Sequence, residues 1–390
     1  MRSALLLSFS LLACGSTTTR AVTDAPPGDD RAAPPDVPAP LDAGDAKDAT
    51  APEDLPAVDA PTPAVDAPAP AVDVPVADVP LGDAPDYRQD GPLATRTVMG
   101  SLTAPSSTGC TGTLCNLTLA VTLPAAGAAG RMAPWPVAVF SPGFSTASSA
   151  YAATATRLAS WGYVVLRYDL QGESFLNAAT HDALANLHVA VVDWARDQGI
   201  SGELRGLVDA SRVLAAGHSR GGKVAALAAT RDPRVVGVVG FDPVDAPPPF
   251  QMPSDAFPLA SARLRELSRD LPIAVIGAEF GGRSPFGMPC APTQYNYSTF
   301  FDAARGPGLE VVLREAGHGQ FVDDDRAAAA SAALCPAGSA MNETVRSVSR
   351  TLLVAWAERT VRGADVSAWV QGAWFQARVT DRTFASARRR

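Results

Sequence analysis

Residues 213–230 read VLAAGHSRGGKVAALAAT. The segment opens on an apolar run at 213–216, which predicts a buried strand. It closes on an alanine-rich stretch at 222–230, which predicts a helix. Between them stands Gly217-His218-Ser219-Arg220-Gly221, a G-x-S-x-G pattern. A strand that passes into a helix within five residues must turn sharply. Glycines on either side of the serine remove Cβ atoms that would clash in so tight a turn. Ser219 is then lifted to the top of a sheet, with the first amides of a helix beside it. This makes Ser219 a candidate nucleophile.

The flanking sequence extends the same alternation. Apolar runs at 137–140, 163–168, 235–241, 273–278 and 311–314 predict further strands, and 116–123 alternates like a strand with one covered face. Helical spacing occupies 150–161, 187–198 and 344–361. Strands that are apolar throughout and separated by helices predict a parallel sheet covered on both faces, a doubly wound α/β domain.

A serine nucleophile needs a base. The chain has four histidines, His181, His188, His218 and His318. His218 belongs to the turn itself, so its ring is expected to point away from the serine hydroxyl. His181 and His188 precede the turn. In the strand–turn–helix serine arrangement the order along the chain is serine, acid, histidine. Only His318 lies downstream, in a loop after the strand at 311–314. The acid has three candidates behind strands at the same end of the sheet: Asp242, Asp245 and Glu279. Asp242 follows its strand directly, and Pro243 is expected to keep it extended at the strand's mouth. Asp245 is expected at the rim.

Two amides are candidates for holding a developing oxyanion, those of Arg220 and of Phe144 in Ser141-Pro142-Gly143-Phe144-Ser145. Phe250 and Phe280, with Phe286, follow strands and are candidate contacts for an apolar part of a substrate. Residues 169–174 (DLQGES) are expected to shape the rim. Asp323-Asp324-Asp325 is read as the solvated start of a helix rather than a cation site. No metalloprotease, P-loop or dinucleotide signature occurs, so the sequence indicates no cofactor and no metal.

Several of these segments resemble the chlorophyllase family. The elbow continues as GHSRGGK over 217–223. Residues 240–245 read GFDPVD, residues 289–292 read PCAP with Asn296 and Phe300-Phe301 beyond, and Gly317-His318 is followed by Asp323-Asp324. In that family the first aspartate of DPVD is the triad acid, here Asp242. The stretches SPGFS at 141–145 and LASWGYVV at 158–165 resemble bacterial cutinases and polyester hydrolases. In those the acid stands two residues beyond Glu279, where this chain has Gly281. Platelet-activating-factor acetylhydrolases are a further similar group. The resemblance covers roughly residues 115–360. It implies an α/β-hydrolase fold, a mostly parallel sheet with helices on both faces, and a serine carboxylic ester hydrolase with Ser219, Asp242 and His318 as its triad. Ser141 departs from the histidine common in the chlorophyllase HGF loop. The rival expectations are a cutinase- or lipase-type polyester or lipid-ester hydrolase, and a non-catalytic binding protein on the same fold.

The first 92 residues have another character. Residues 1–14, MRSALLLSFSLLAC, carry one positive charge and an apolar run too short to span a bilayer. Ending at Cys14, the run resembles a bacterial lipobox, which implies a lipid anchor on the cysteine and export to a periplasmic or cell-surface location. Residues 15–92 are expected to be a disordered tether rich in Pro, Ala and Asp, and 93–390 the catalytic domain. Residues 21–92 hold sixteen acidic and three basic residues, a net charge of −13. The whole chain carries −8, so the remainder is net positive. Apart from the terminal Arg388-Arg389-Arg390 its basic residues are scattered, which gives no nucleic-acid footprint. Beyond Cys14 the cysteines are Cys110, Cys115, Cys290 and Cys335. Export permits disulfides, and four cysteines allow three pairings. Pairing Cys110 with Cys115 would close a small loop, and Cys290 with Cys335 would tie down the region around His318.

Overall fold

A computed structural model describes residues 84–125, 132–284, 289–332 and 335–390. Cys14, the tether through residue 83 and Phe286 lie outside them.

The described chain forms a nine-stranded sheet of order β1-β2-β4-β3-β5-β6-β7-β8-β9. The strands are β1 (Thr95–Thr103), β2 (Asn116–Pro124), β3 (Trp135–Ser141), β4 (Val164–Leu170), β5 (Val208–His218), β6 (Val235–Phe241), β7 (Ile273–Ala278), β8 (Gly308–Leu313) and β9 (Phe384–Arg389). From β4 through β8 the neighbours run parallel. Antiparallel strands close both margins, β1 and β2 on one side and β9 on the other.

The central strands divide their side chains by period two. Val137, Val139, Val213 and Ala215 enter one apolar core, while Ala138, Phe140, Leu214 and Ala216 enter the other. That is why these strands are apolar at every position. Helices α1 (Ala152–Ser160) and α7 (Asn342–Ala357) cover one face. Helices α2 (His181–Ser201), α3 (Arg220–Arg231), α4 (Ala260–Glu266) and α5 (Tyr297–Ala303) cover the other. Two-sided helix cover on a mostly parallel sheet is the α/β-hydrolase architecture expected above.

The edges differ from the sequence reading. β1 and β9 are half-exposed margins carrying polar or basic residues, so their apolar periodicity is weak. α2 starts earlier than its spacing predicts, because Thr180 caps it by accepting from the Ala183 amide. The packed chain also reaches back before residue 93: Tyr87 is buried against Trp161 and Trp369.

The cysteines pair as Cys110–Cys115 and Cys290–Cys335. Among the described residues no helix is long and apolar enough to cross a membrane.

Candidate active site

Ser219 sits between the last residue of β5 and the first of α3, with φ 56° and ψ −125°. A non-glycine residue rarely adopts this conformation, and it costs on the order of 1–3 kcal/mol unless its surroundings enforce it. They do. The Ser219 amide donates to Phe241 O (3.0 Å), and its carbonyl accepts from the Val244 amide (3.1 Å). A Cβ at Gly217 would collide with the backbone of Gly221, and one at Gly221 with the carbonyls of Ser141 and Pro142. The two motif glycines are therefore required by close backbone approach rather than by their own torsions.

His318 opens a short 3₁₀ turn (His318–Phe321) that follows β8. Its Nε2 lies 2.9 Å from Ser219 Oγ, and its Nδ1 lies 2.6 Å from Asp242 Oδ2. An ionised carboxylate only accepts, so Nδ1 carries the proton and Nε2 is free to accept from the serine hydroxyl. Asp242 is fully buried, and its other oxygen accepts from the Ala278 amide at 3.0 Å. The expectation of an extended Asp242 is corrected here: its φ is 36°. The chain turns at once after β6, and the turn carries the carboxylate to His318. Aspartate is among the residues that tolerate positive φ best.

The other two carboxylates have different partners. Asp245 is not at the rim but buried. It accepts from the Ala260 and Ser261 amides at the start of α4, and lies 3.7 Å from Lys223 Nζ. Lys223 also donates to the carbonyls of Asp245 and Ala246, and burial brings its pKa down to about 8 against the pull of Asp245. Burial likewise raises the Asp245 carboxyl above its ordinary value. Glu279 is exposed and accepts from the Glu315 amide. Gly281 stands beside Asp242 instead of supplying an acid: a Cβ there would lie 2.6 Å from Asp242 Oδ2.

The loop after β3 turns tightly, with the Thr146 amide donating to Gly143 O and Ser145 at φ 53°. Its root is fixed by Ser141 Oγ, which bonds Tyr168 Oη (2.7 Å) and His188 Nδ1 (2.9 Å). Arg220, the first residue of α3, has an amide with no intrahelical acceptor. Its guanidinium makes a bidentate pair with Glu173 (2.7 and 3.0 Å) and lies 4.9 Å from the Phe144 ring. Phe175 packs on Phe144 at 6.2 Å. A cavity of about 250 Å³ opens beside this cluster, lined by Ser141, Ser145, Thr146, Asp169, Glu173 and Arg220 among others. None of Phe144, Phe175, Phe250 and Phe280 lines it. Phe250 stands out at the surface, and Phe280 lies under Arg283. The aromatic pair at the elbow is Phe144 and Phe175, and sequence reasoning passed over the second.

The aspartate run also divides. Asp324 caps α6 (Asp325–Ser331), but Asp323 is turned inward to Thr154 and Arg350. Gln320 was missed as well. Its Oε1 accepts from the Gly317 and Gly338 amides and its Nε2 donates to Ala340 O, which braces the turn that carries His318.

Residues 114–371 match the family model described as Chlorophyllase. The chain belongs to the chlorophyllase family. It is 28% identical over 209 residues to Chlorophyllase-2 of Arabidopsis thaliana, covering 49% of this chain and 62% of that one. It is also 28% identical over 212 residues to Chlorophyllase-1 of the same organism, covering 49% and 60%. The matches thus span somewhat less than two thirds of these relatives. The PCAP segment at 289–292 packs against the loop that follows β7. The Ala291 amide donates to Gly281 O, Cys290 is tied to Cys335, and Tyr295 O accepts from the Asp245 amide.

Proposed function

We propose that the protein is a serine carboxylic ester hydrolase that works through an acyl-enzyme. Ser219 attacks the ester carbonyl carbon, and His318 Nε2 takes the hydroxyl proton. Asp242 holds the tautomer and offsets the charge of the imidazolium. The amides of Arg220 and Phe144 receive the oxyanion. His318 then protonates the leaving alkoxide, and water, activated by the same imidazole, releases the acid. The observation that carries this reading is the unbroken contact from Ser219 Oγ to His318 to Asp242, at 2.9 and 2.6 Å, with the serine on a strained strand–helix turn. Family membership supports an ester as the substrate.

Phe144, Phe175 and Leu176 are exposed near the elbow, which supports an ester with an apolar part. The cutinase-type alternative places its acid at position 281, and the room there is taken by the Asp242 carboxylate. The observation therefore favours the chlorophyllase-type arrangement. We further propose that Cys14 is lipidated and that the Pro-, Ala- and Asp-rich stretch between it and the packed segment around Tyr87 tethers an exported enzyme to a membrane.

Turnover of p-nitrophenyl butyrate by the wild type and its loss in a folded Ser219→Ala variant test the hydrolytic reading. Activity that persists in pure Ser219→Ala protein contradicts it.

A further inference from the structure

A line of buried polar contacts joins the loop of the base to the loop after β3, and the reaction scheme above leaves it unused. It runs through His218, the variable position of the elbow. The His218 ring lies beside that of His318, centroids 4.8 Å apart, and stacks on Phe321 at 5.8 Å. Its Nε2 is 3.0 Å from the carbonyl oxygen of His318. A carbonyl only accepts, so Nε2 carries the proton and Nδ1 is left as an acceptor. Nδ1 lies 2.7 Å from the Tyr151 hydroxyl, which must be its donor. The same hydroxyl oxygen accepts from the Gly143 amide at 3.3 Å.

The direction of donation is therefore fixed from end to end. Gly143 N–H donates to Tyr151, Tyr151 O–H to His218, and His218 N–H to His318. Tyr151 is fully buried and His218 nearly so. Packing at the far end is equally close: a Cβ on Gly143 would stand 3.3 Å from both His218 Nδ1 and Tyr151 Oη. A protonated His218 would point a second donor at Tyr151 and set a cation against the imidazolium formed in turnover. Burial and the neighbouring His318 hold it neutral. The other charged groups around Tyr151 are Asp323 and Arg220.

We propose that His218 and Tyr151 are positioning residues that lock the loop of His318 to the loop of Phe144, so that base and oxyanion donor keep register about Ser219. This rests on the roles assigned under the proposed function. The relay makes no contact with Asp242, so it adds to the triad rather than restating it.

The test uses the full chain, p-nitrophenyl butyrate, and fluorophosphonate titration to count active sites. Tyr151→Phe keeps the ring and removes only the hydroxyl. It is expected to lower kcat per titrated site by about 3- to 10-fold, the worth of one net hydrogen bond, with KM nearly unchanged. His218→Ala is expected to lose about 10²-fold, like removal of an oxyanion donor. His218→Gln, which keeps a donor near Nε2, should recover part of that loss. The proposal is overturned if Tyr151→Phe and His218→Ala lower only the melting temperature and leave kcat per titrated site unchanged. Should His218→Ala fail to fold, the isosteric Tyr151→Phe decides alone. A wild type that fluorophosphonate does not label at Ser219 overturns the hydrolytic reading itself, so the two failures are distinguishable.

Discussion

Gly281→Ala adds one methyl group to a residue that takes no part in the proposed chemistry, and it should nevertheless cripple the enzyme. Gly281 is not among the glycines at positive φ, so alanine fits its backbone. The new Cβ would lie 2.6 Å from Asp242 Oδ2, with Ala291 Cβ at 3.3 Å and Ala278 Cβ at 3.4 Å behind it. The methyl has no room to retreat. Ordinary contact begins near 3.4 Å, so the carboxylate must give way by about 0.8 Å. It now sits 2.6 Å from His318 Nδ1, and its other oxygen is held by the Ala278 amide. A displacement of that size takes the pair to about 3.4 Å, beyond a good hydrogen bond. Misplacement by about 1 Å costs on the order of 10²-fold, and loss of the correct tautomer about 10⁴-fold in serine proteases. The expected fall in kcat therefore lies between those bounds, measured with p-nitrophenyl butyrate on protein whose folding is checked by circular dichroism. The double variant Gly281→Ala/Asp242→Asn should be no slower than Asp242→Asn alone, because both changes act through one contact. Wild-type kcat in Gly281→Ala, or losses that multiply in the double variant, would refute the reasoning.

Three further outcomes are expected. His181 and His188 are buried, and burial holds their pKa values down to about 2 and about 3. The unfolded chain binds protons near pH 6.5 that the folded state refuses, so stability is complete above 6.5 and falls as pH drops toward 3. Each histidine should cost about 2 kcal/mol between pH 7 and pH 5; urea midpoints that stay flat over that range would contradict this. Replacing Cys290 and Cys335 by serine, which opens a span of 45 residues, should cost about 4 kcal/mol, against about 2 kcal/mol for Cys110 and Cys115, five residues apart; thermal unfolding in which the short loop matters more would be the opposite result. Cys14→Ser should release the protein from the membrane fraction or leave its precursor unprocessed, and unchanged fractionation would sink the anchor proposal.

The elbow was legible because its causes are local. The strand, two glycines, the serine and the helix lie within one short stretch, and the collisions at Gly217 and Gly221 need no distant information beyond β3. His318 was legible as the candidate base by elimination, because the chain has four histidines and only this one follows the elbow. The acid was not decidable from spacing. Asp242, Asp245 and Glu279 all follow strands at one end of the sheet, and what separates them is three-dimensional: the positive φ of Asp242, the amides of α4 that take Asp245, and the exposure of Glu279. The edge strands β1 and β9 carry no clear apolar signal, because a margin that faces solvent loses its apolar periodicity. For Phe250 and Phe280 the sequence shows only that they follow strands; that Phe250 stands out at the surface and Phe280 under Arg283 depends on where the loops fold. Phe175 lies in the stretch just after the polar rim segment and meets Phe144 only in three dimensions. Tyr151 and Gln320 carry no motif at all, and only the hydrogen bonds reveal them.

The most direct test of the central claim is the site of covalent capture. The intact wild type is treated with a fluorophosphonate, digested, and its peptides sequenced by mass spectrometry. The adduct should sit on Ser219, one per chain, with hydrolysis abolished in step with labelling. Full labelling at another residue, or undiminished ester hydrolysis by a protein fully labelled at Ser219, would contradict the account.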